Sequence, residues 1–184
     1  MTIIIGAYLD DGSRVLKADG TGTKGVVVTE RQAVKAMRIQ NSVNRRVAAF
    51  GLAGTAAAKV VFEEVLTRML SAPAATADDL ALRLHGRFKE LQLEHDIEAI
   101  VWFDGKLYTV DCALHVHEHV DTAFAFAGSG ADHAQGALLG LGLKKVGTDG
   151  IQKWKPELTD VHIAYEVAVT ACTNCGGKST LIIV

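Results

Sequence analysis

Short apolar runs rich in β-branched residues alternate along this chain with longer stretches of helical periodicity. Thr2 to Ala7 reads as a strand. Asp10-Asp11-Gly12-Ser13 then makes a hairpin turn, and Arg14 to Ala18 returns as the partner strand, with Asp19 at its end. Gly20 to Gly25 has glycines at short intervals and reads as a loop, after which Val26 to Val28 is strand-like. Lys35 to Ile39 is short and mixed. Arg46 to Leu52 is an apolar strand that ends in Ala53-Gly54, and Thr55 is placed to cap a helix over Ala56 to Leu70, with Val60, Val61, Val65, Leu66 and Met69 at helical spacing.

After a break over Ser71 to Thr76, a second amphipathic helix is expected from about Asp78 to Leu93. Ile97 to Trp102 and Lys106 to Val110 flank Phe103-Asp104-Gly105 as a hairpin. Leu114 to Val120 alternates, and Thr122 to Ala127 is another apolar strand. Gly128-Ser129-Gly130 turns into a third helix through Leu143, and Lys144 to Lys155 reads as a loop. Pro156 and Thr159 open a fourth helix to about Thr170, and Ser179 to Val184 closes as a strand. Two blocks of strands, each followed by a pair of helices, predict a layered α+β sandwich, with 1–184 as a single domain.

The chain has 184 residues, 49% hydrophobic and 22% charged, which is the composition of a globular protein with a sizeable core. The net charge of -2 gives no basis for a nucleic-acid partner. The apolar start lacks the basic flank and length of a signal peptide, and no run reaches the length of a membrane span. The three cysteines, Cys112, Cys172 and Cys175, are an odd set for a disulfide framework and suit a reducing cytoplasm.

Thr2 is the first candidate for chemistry. If Met1 is removed, the threonine α-amine can act as base for its own hydroxyl. Such a site needs a cation to keep that amine neutral, a carboxylate to hold the cation, and a group to orient the proton. Lys35, Asp19 and Ser129 offer these types. Taken singly, each has an ordinary reading: an edge-strand threonine, a surface ion pair of little consequence, and a helix cap. The segments around Thr2, Ala18-Asp19-Gly20, Val34-Lys35-Ala36, Gly128-Ser129-Gly130 and Gly176-Gly177, in that order, together resemble the proteasome β-subunit family of N-terminal nucleophile hydrolases, and within it the HslV branch.

That resemblance implies a four-layer α-β-β-α sandwich with two antiparallel sheets between helical layers. It implies Thr2 as nucleophile, Lys35 held by Asp19 and tuning the Thr2 hydroxyl and amine, and Ser129 bonded to the new amino terminus. It places an oxyanion-hole N–H at Ala53, with Gly54 adjacent, although the family carries Gly there, and Ala57 stands where many relatives carry Asp. No cofactor is required. The HslV branch binds a monovalent cation through backbone carbonyls in the turn that here contains Val169, Cys172 and Cys175, which makes room for Na⁺ or K⁺. The partners implied are further copies of the chain in a ring, unfolded polypeptide as substrate, and an ATP-dependent unfoldase. Two other readings in the same fold class stay open: a catalytically silent shell or assembly protein, and an amidase acting on a small amide.

Three further motifs point elsewhere. Cys172-x-x-Cys175 follows a helix rather than opening one, unlike a redox pair. Gly177-Lys178-Ser179-Thr180 resembles the end of a phosphate loop, but no helix follows it. His115-Val116-His117-Glu118-His119 puts histidines on one face of a strand, and without an accompanying ligand pair it reads as a solvated strand face rather than a metal site.

Overall fold

Ile4–Tyr8 (β1) sets the layering, because its side chains divide between two cores. The computed structural model of the chain describes residues 2–20, 22–24, 27–30, 35–72, 75–94, 96–172 and 175–184. Ile3, Ile5 and Ala7 point to one side, where they meet helical residues such as Ala134, Leu138, Val161 and Ala168. Ile4 points to the other side, into a core shared with Ile100, Trp102 and Leu107. Successive strand residues face opposite sides, so a run of apolar residues with no polar partner face is what a strand buried on both sides needs. Gly6 belongs to this arrangement. A Cβ there would lie 2.7 Å from Ile100 Cγ2, so glycine lets the two sheets approach.

β1 is central in a four-stranded antiparallel sheet. Its neighbours are Phe124–Ala127 (β10) on one side and Arg14–Ala18 (β2) on the other, with Thr180–Ile183 (β11) beyond β2. The second sheet has five antiparallel strands in the order Ala36–Gln40 (β5), Val47–Gly54 (β6), Ile97–Phe103 (β7), Lys106–Val110 (β8) and Val116–Glu118 (β9). Trp102 of β7 ties the sheets together by donating its indole N–H to Val15 O at 3.0 Å. Helices Ala56–Ser71 (α1) and Ala77–Glu90 (α2) cover the five-stranded sheet through Phe62, Leu66, Leu84 and Phe88. Helices Ala131–Gly150 (α3) and Leu158–Ala171 (α4) cover the other sheet. The result is a four-layer α-β-β-α sandwich.

Several boundaries differ from the sequence expectation. The stretch read as a loop over Gly20 to Gly25 contains a short strand, Gly22–Lys24 (β3), paired with Val27–Glu30 (β4). Thr21, Gly25, Val26 and 31–34 lie outside the described residues, as does Met1. The loop expected over Lys144 to Lys155 is largely helical. α3 continues past Leu143, breaks its helical conformation at Gly147 (φ 70°), and is followed by a 3-10 turn at Ile151–Lys153. The lysines that suggested a loop sit on its solvent face, and Lys145 pairs with Glu157 and Asp160 of the next element.

Thr55 precedes α1 without a side-chain cap, whereas Thr76 and Asp79 form a reciprocal capping box that starts α2. α4 begins after Glu157, which forms a similar box with Asp160. The alternating stretch Leu114 to Val120 keeps only Val116–Glu118 as strand. Among the described residues, no helix is long and apolar enough to cross a membrane.

Candidate active site

Strand pairing places the first three polar groups. Ile4 pairs with Ala18 in the β1–β2 ladder, so Asp19, one residue on, falls opposite Ile3. The two exchange bonds there: Asp19 N donates to Ile3 O at 3.1 Å, and Ile3 N donates to Asp19 Oδ1 at 3.0 Å. Asp19 is fully buried, and Thr2 is nearly so. A buried carboxylate needs compensation. Asp19 has it from Lys35, whose Nζ lies 3.1 Å from Oδ1 and 3.3 Å from Oδ2, and from Gly176 N, which donates to Oδ2 at 3.4 Å.

Lys35 immediately precedes β5 and is fixed through its backbone, since Leu52 N of β6 donates to Lys35 O at 2.9 Å. Its ammonium also donates to Thr2 Oγ1 at 2.8 Å. The Thr2 hydroxyl therefore sits beside a positive charge held in place by a buried negative one.

The turn after β10 supplies the other side. Gly128 has φ 88°, a conformation that favours glycine. A Cβ on it would lie 2.4 Å from Thr2 O, so a side chain is excluded by contact as well. Gly130 N donates to Thr2 O at 3.0 Å, and Thr2 N donates to Ser129 Oγ at 3.1 Å. Ser129 does not cap α3; the cap position is Gly130, with no side-chain cap bond. The serine hydroxyl faces the Thr2 nitrogen instead.

Ala53 and Gly54 end β6 opposite Glu98 and Ile97 of β7. Ala53 is half-buried and Gly54 is exposed with φ 124°. Ala57 is exposed in the first turn of α1. Sequence reasoning passed over Glu98, the one charged residue in an otherwise apolar strand. Its Oε2 accepts from Gly128 N at 2.7 Å, which bridges β7 to the turn that holds Thr2. An isolated carboxylate in an apolar strand was the available signal. Glu98, Phe126, Gly128 and Ser129 line a cleft of about 610 Å³, together with Asp111 and His119.

The turn after α4 meets Asp19 from below. Gly20 N donates to Gly176 O at 3.0 Å, and Cys175 N donates to Cys172 O at 3.0 Å. Cys172 Sγ and Cys175 Sγ are 2.6 Å apart, and neither is in a disulfide. Burial, and then the hydrogen bond with Cys172, push the Cys175 thiol well above the ordinary thiol range. A reactive redox pair needs a depressed thiol pKa, so this shift is the opposite of what that chemistry requires. Val169 lies in the last turn of α4, where helix carbonyls look beyond the helix for partners and carry the negative end of its dipole. Thr173 and Asn174 lie outside the described residues.

The histidine stretch is solvated as expected, with His115, His117 and Glu118 exposed, but only part of it is strand. His115 falls before β9 and lies with His117 around the carboxylate of Asp111.

No protein-family model matches this chain, and no curated protein matches it in sequence. Solved structures do match in three dimensions. HslV from Trypanosoma brucei superposes with a TM-score of 0.72 at 19% identity, over 98% of each chain. BPH from Thiobacillus denitrificans, in complex with epoxomicin, gives 0.72 at 16% identity, over 100% of this chain and 98% of that one. The chain has the proteasome-type fold of HslV. The Anbu complex from Pseudomonas aeruginosa, solved as a helical assembly, shares this proteasome-type fold with a TM-score of 0.66 at 13% identity, over 99% of this chain and 80% of that one.

Proposed function

We propose that this chain is a proteasome- or HslV-like threonine peptidase subunit in which Thr2, exposed as the amino terminus by removal of Met1, attacks peptide bonds. The observation that carries the reading is the Lys35 Nζ to Thr2 Oγ1 bond at 2.8 Å, backed by buried Asp19. With Met1 attached, the Thr2 nitrogen is an amide and cannot act as a base. As a free amine it has an ordinary pKa of about 7.7–8.0, and a nearby ammonium favours its neutral form.

The Thr2 amine, directly or through a water, takes the proton from Oγ1 as that oxygen attacks the substrate carbonyl carbon. The Lys35 ammonium stabilises the charge that develops on Oγ1, and Asp19 keeps Lys35 in place. Ser129 Oγ orients the amine. The carbonyl oxygen becomes an oxyanion and is met by a backbone N–H at the end of β6, from Ala53 or Gly54. Collapse of this intermediate leaves an ester on Oγ1 and expels the amine product, which takes its proton from the Thr2 ammonium. Water, with the Thr2 amine again as base, then hydrolyses the ester. A Na⁺ or K⁺ ion at the end of α4 would steady the turn that carries Gly176, and so the carboxylate of Asp19.

Self-assembly belongs to the proposal. Val60 on α1, and Ile163 and Val167 one turn apart on α4, are large apolar side chains left exposed, and surfaces of this kind favour association. Head-to-tail contacts that close give rings, and those that do not close give helices. The chamber so formed would restrict access to polypeptide that has been unfolded, with an ATP-dependent unfoldase as the natural feeder.

The test is hydrolysis of fluorogenic peptides by wild type, Thr2→Ala, Lys35→Ala and the double variant. Each single change should reduce kcat/KM by at least about 10³-fold, and the double variant should be no worse than either, because the groups act as one unit. Appreciable turnover by Thr2→Ala would refute the reading.

A further inference from the structure

We propose that Asp111, His115 and His117 form a binding site for a divalent transition-metal ion of the zinc type, through Asp111 Oδ2, His115 Nδ1 and His117 Nε2. Asp111 Oδ2 lies 3.3 Å from His115 Nδ1 and 3.6 Å from His117 Nε2. One ligand atom from each residue lies within 4.8 Å of the other two. Zinc bonds of about 2.0–2.1 Å at tetrahedral angles put ligand atoms roughly 3.3–3.4 Å apart. Two edges of the tetrahedron are therefore nearly in place. Both imidazoles are exposed and can rotate to close the third.

The backbone is already set for this arrangement. Asp111 Oδ1 accepts from Ala113 N at 2.8 Å and from His115 N at 3.0 Å, which leaves Oδ2 to the imidazoles. Such outer bonds orient a ligating carboxylate before the ion arrives. The turn is closed by Leu114 N to Asp111 O at 2.9 Å and Asp111 N to His115 O at 3.1 Å. Leu114 itself sits at φ 62°, an unfavourable conformation for leucine, and it is held there by complete burial of its side chain. His117 comes from the neighbouring strand, β9, so the site ties the end of β8 to the edge of the sheet.

Among the described residues the set stops at three protein ligands. His119 is occupied on both ring nitrogens, by Thr109 Oγ1 at 3.2 Å and Thr122 Oγ1 at 3.0 Å. The fourth position faces solvent and would take water. Two imidazoles and one carboxylate suit zinc and its neighbours better than calcium or magnesium, which prefer all-oxygen sets. Asp111 also lines the cleft that Gly128 and Ser129 line, so the ion would stiffen one of its walls.

The experiment titrates Zn²⁺ into the metal-stripped full chain against a chromophoric chelator, and records the absorption of the Co²⁺-loaded protein. Binding should saturate at one ion per chain. Asp111→Asn, His115→Ala and His117→Ala should each weaken it by about tenfold or more. His133→Ala, at an exposed position on α3, should leave it unchanged, and circular dichroism should show all four variants folded. Zn²⁺ should raise the melting temperature of wild type but not of His117→Ala. The Co²⁺ spectrum should show visible bands without thiolate charge-transfer intensity. Failure of wild type to bind, or binding indifferent to all three substitutions, would overturn the proposal. A thiolate charge-transfer band that disappears in Cys172→Ser would also overturn it, by assigning the ion to the Cys172–Cys175 pair.

Discussion

Asp19→Ala probes the arrangement behind Thr2 without relying on any assay of activity. The carboxylate is fully buried, and the Lys35 side chain is only 11% exposed. Removing Asp19 leaves the ammonium in a poorly solvated site and strips acceptors from Ile3 N and Gly176 N. Breaking a buried ion pair from one side costs about 3–5 kcal/mol, against less than about 1 kcal/mol for an exposed pair. The expected loss is therefore about 4 kcal/mol. With an m value of about 2.5 kcal/mol/M, the urea midpoint should fall by about 1.5 M, measured at one fixed protein concentration. Asp19→Ala/Lys35→Met should be more stable than Asp19→Ala alone, because no buried charge is stranded. A midpoint shift below about 0.4 M, or a double variant that loses the sum of both single losses, would refute the buried-pair reasoning.

Two other perturbations follow from the geometry. Gly128→Ala places a side chain at φ 88° and 2.4 Å from Thr2 O, so it should cost at least about 2 kcal/mol by urea denaturation and displace Thr2; a neutral effect would mean the turn is free to move. His162 Nδ1 faces the Nζ of buried Lys17, and burial followed by the Lys17 charge hold its pKa below the usual imidazole value. The unfolded chain then binds the extra proton, so stability should fall as pH drops through about 6.5 toward the lower folded pKa, and His162→Gln should flatten that part of the stability–pH curve. A curve unchanged by the substitution would exclude His162 as the source.

How much of this was legible in the sequence depended on how local the cause was. Ile3, Ile4 and Ile5 announce a strand, and the blocks of strands and helices announce layers, because burial on each face is written into neighbouring residues. The capping box at Thr76 and Asp79 was equally local, and it starts α2 one residue before the expected position. Lys144 and Lys145 misled for the converse reason: charge marks a solvent face but does not separate loop from helix, and Gly147 breaks the helix only after both lysines. Thr2, Asp19, Lys35 and Ser129 could be nominated through a family resemblance, but no local pattern shows that they meet. Their meeting depends on the β1–β2 register and on the turn after β10. Glu98 and Asp111 went unseen as partners because their contacts, with Gly128 and with the His115–His117 pair, arise from strand ends and a left-handed leucine that periodicity does not encode.

The central claim is that Thr2 becomes an amino-terminal nucleophile, and intact-mass spectrometry after exposure to a peptide epoxyketone tests it most directly. The native chain should lack Met1 and gain the mass of one inhibitor, and peptide mapping should place the adduct on Thr2. Thr2→Ala should gain none. A native chain that retains Met1 while cleaving peptides, or an adduct that persists in Thr2→Ala, would contradict the account.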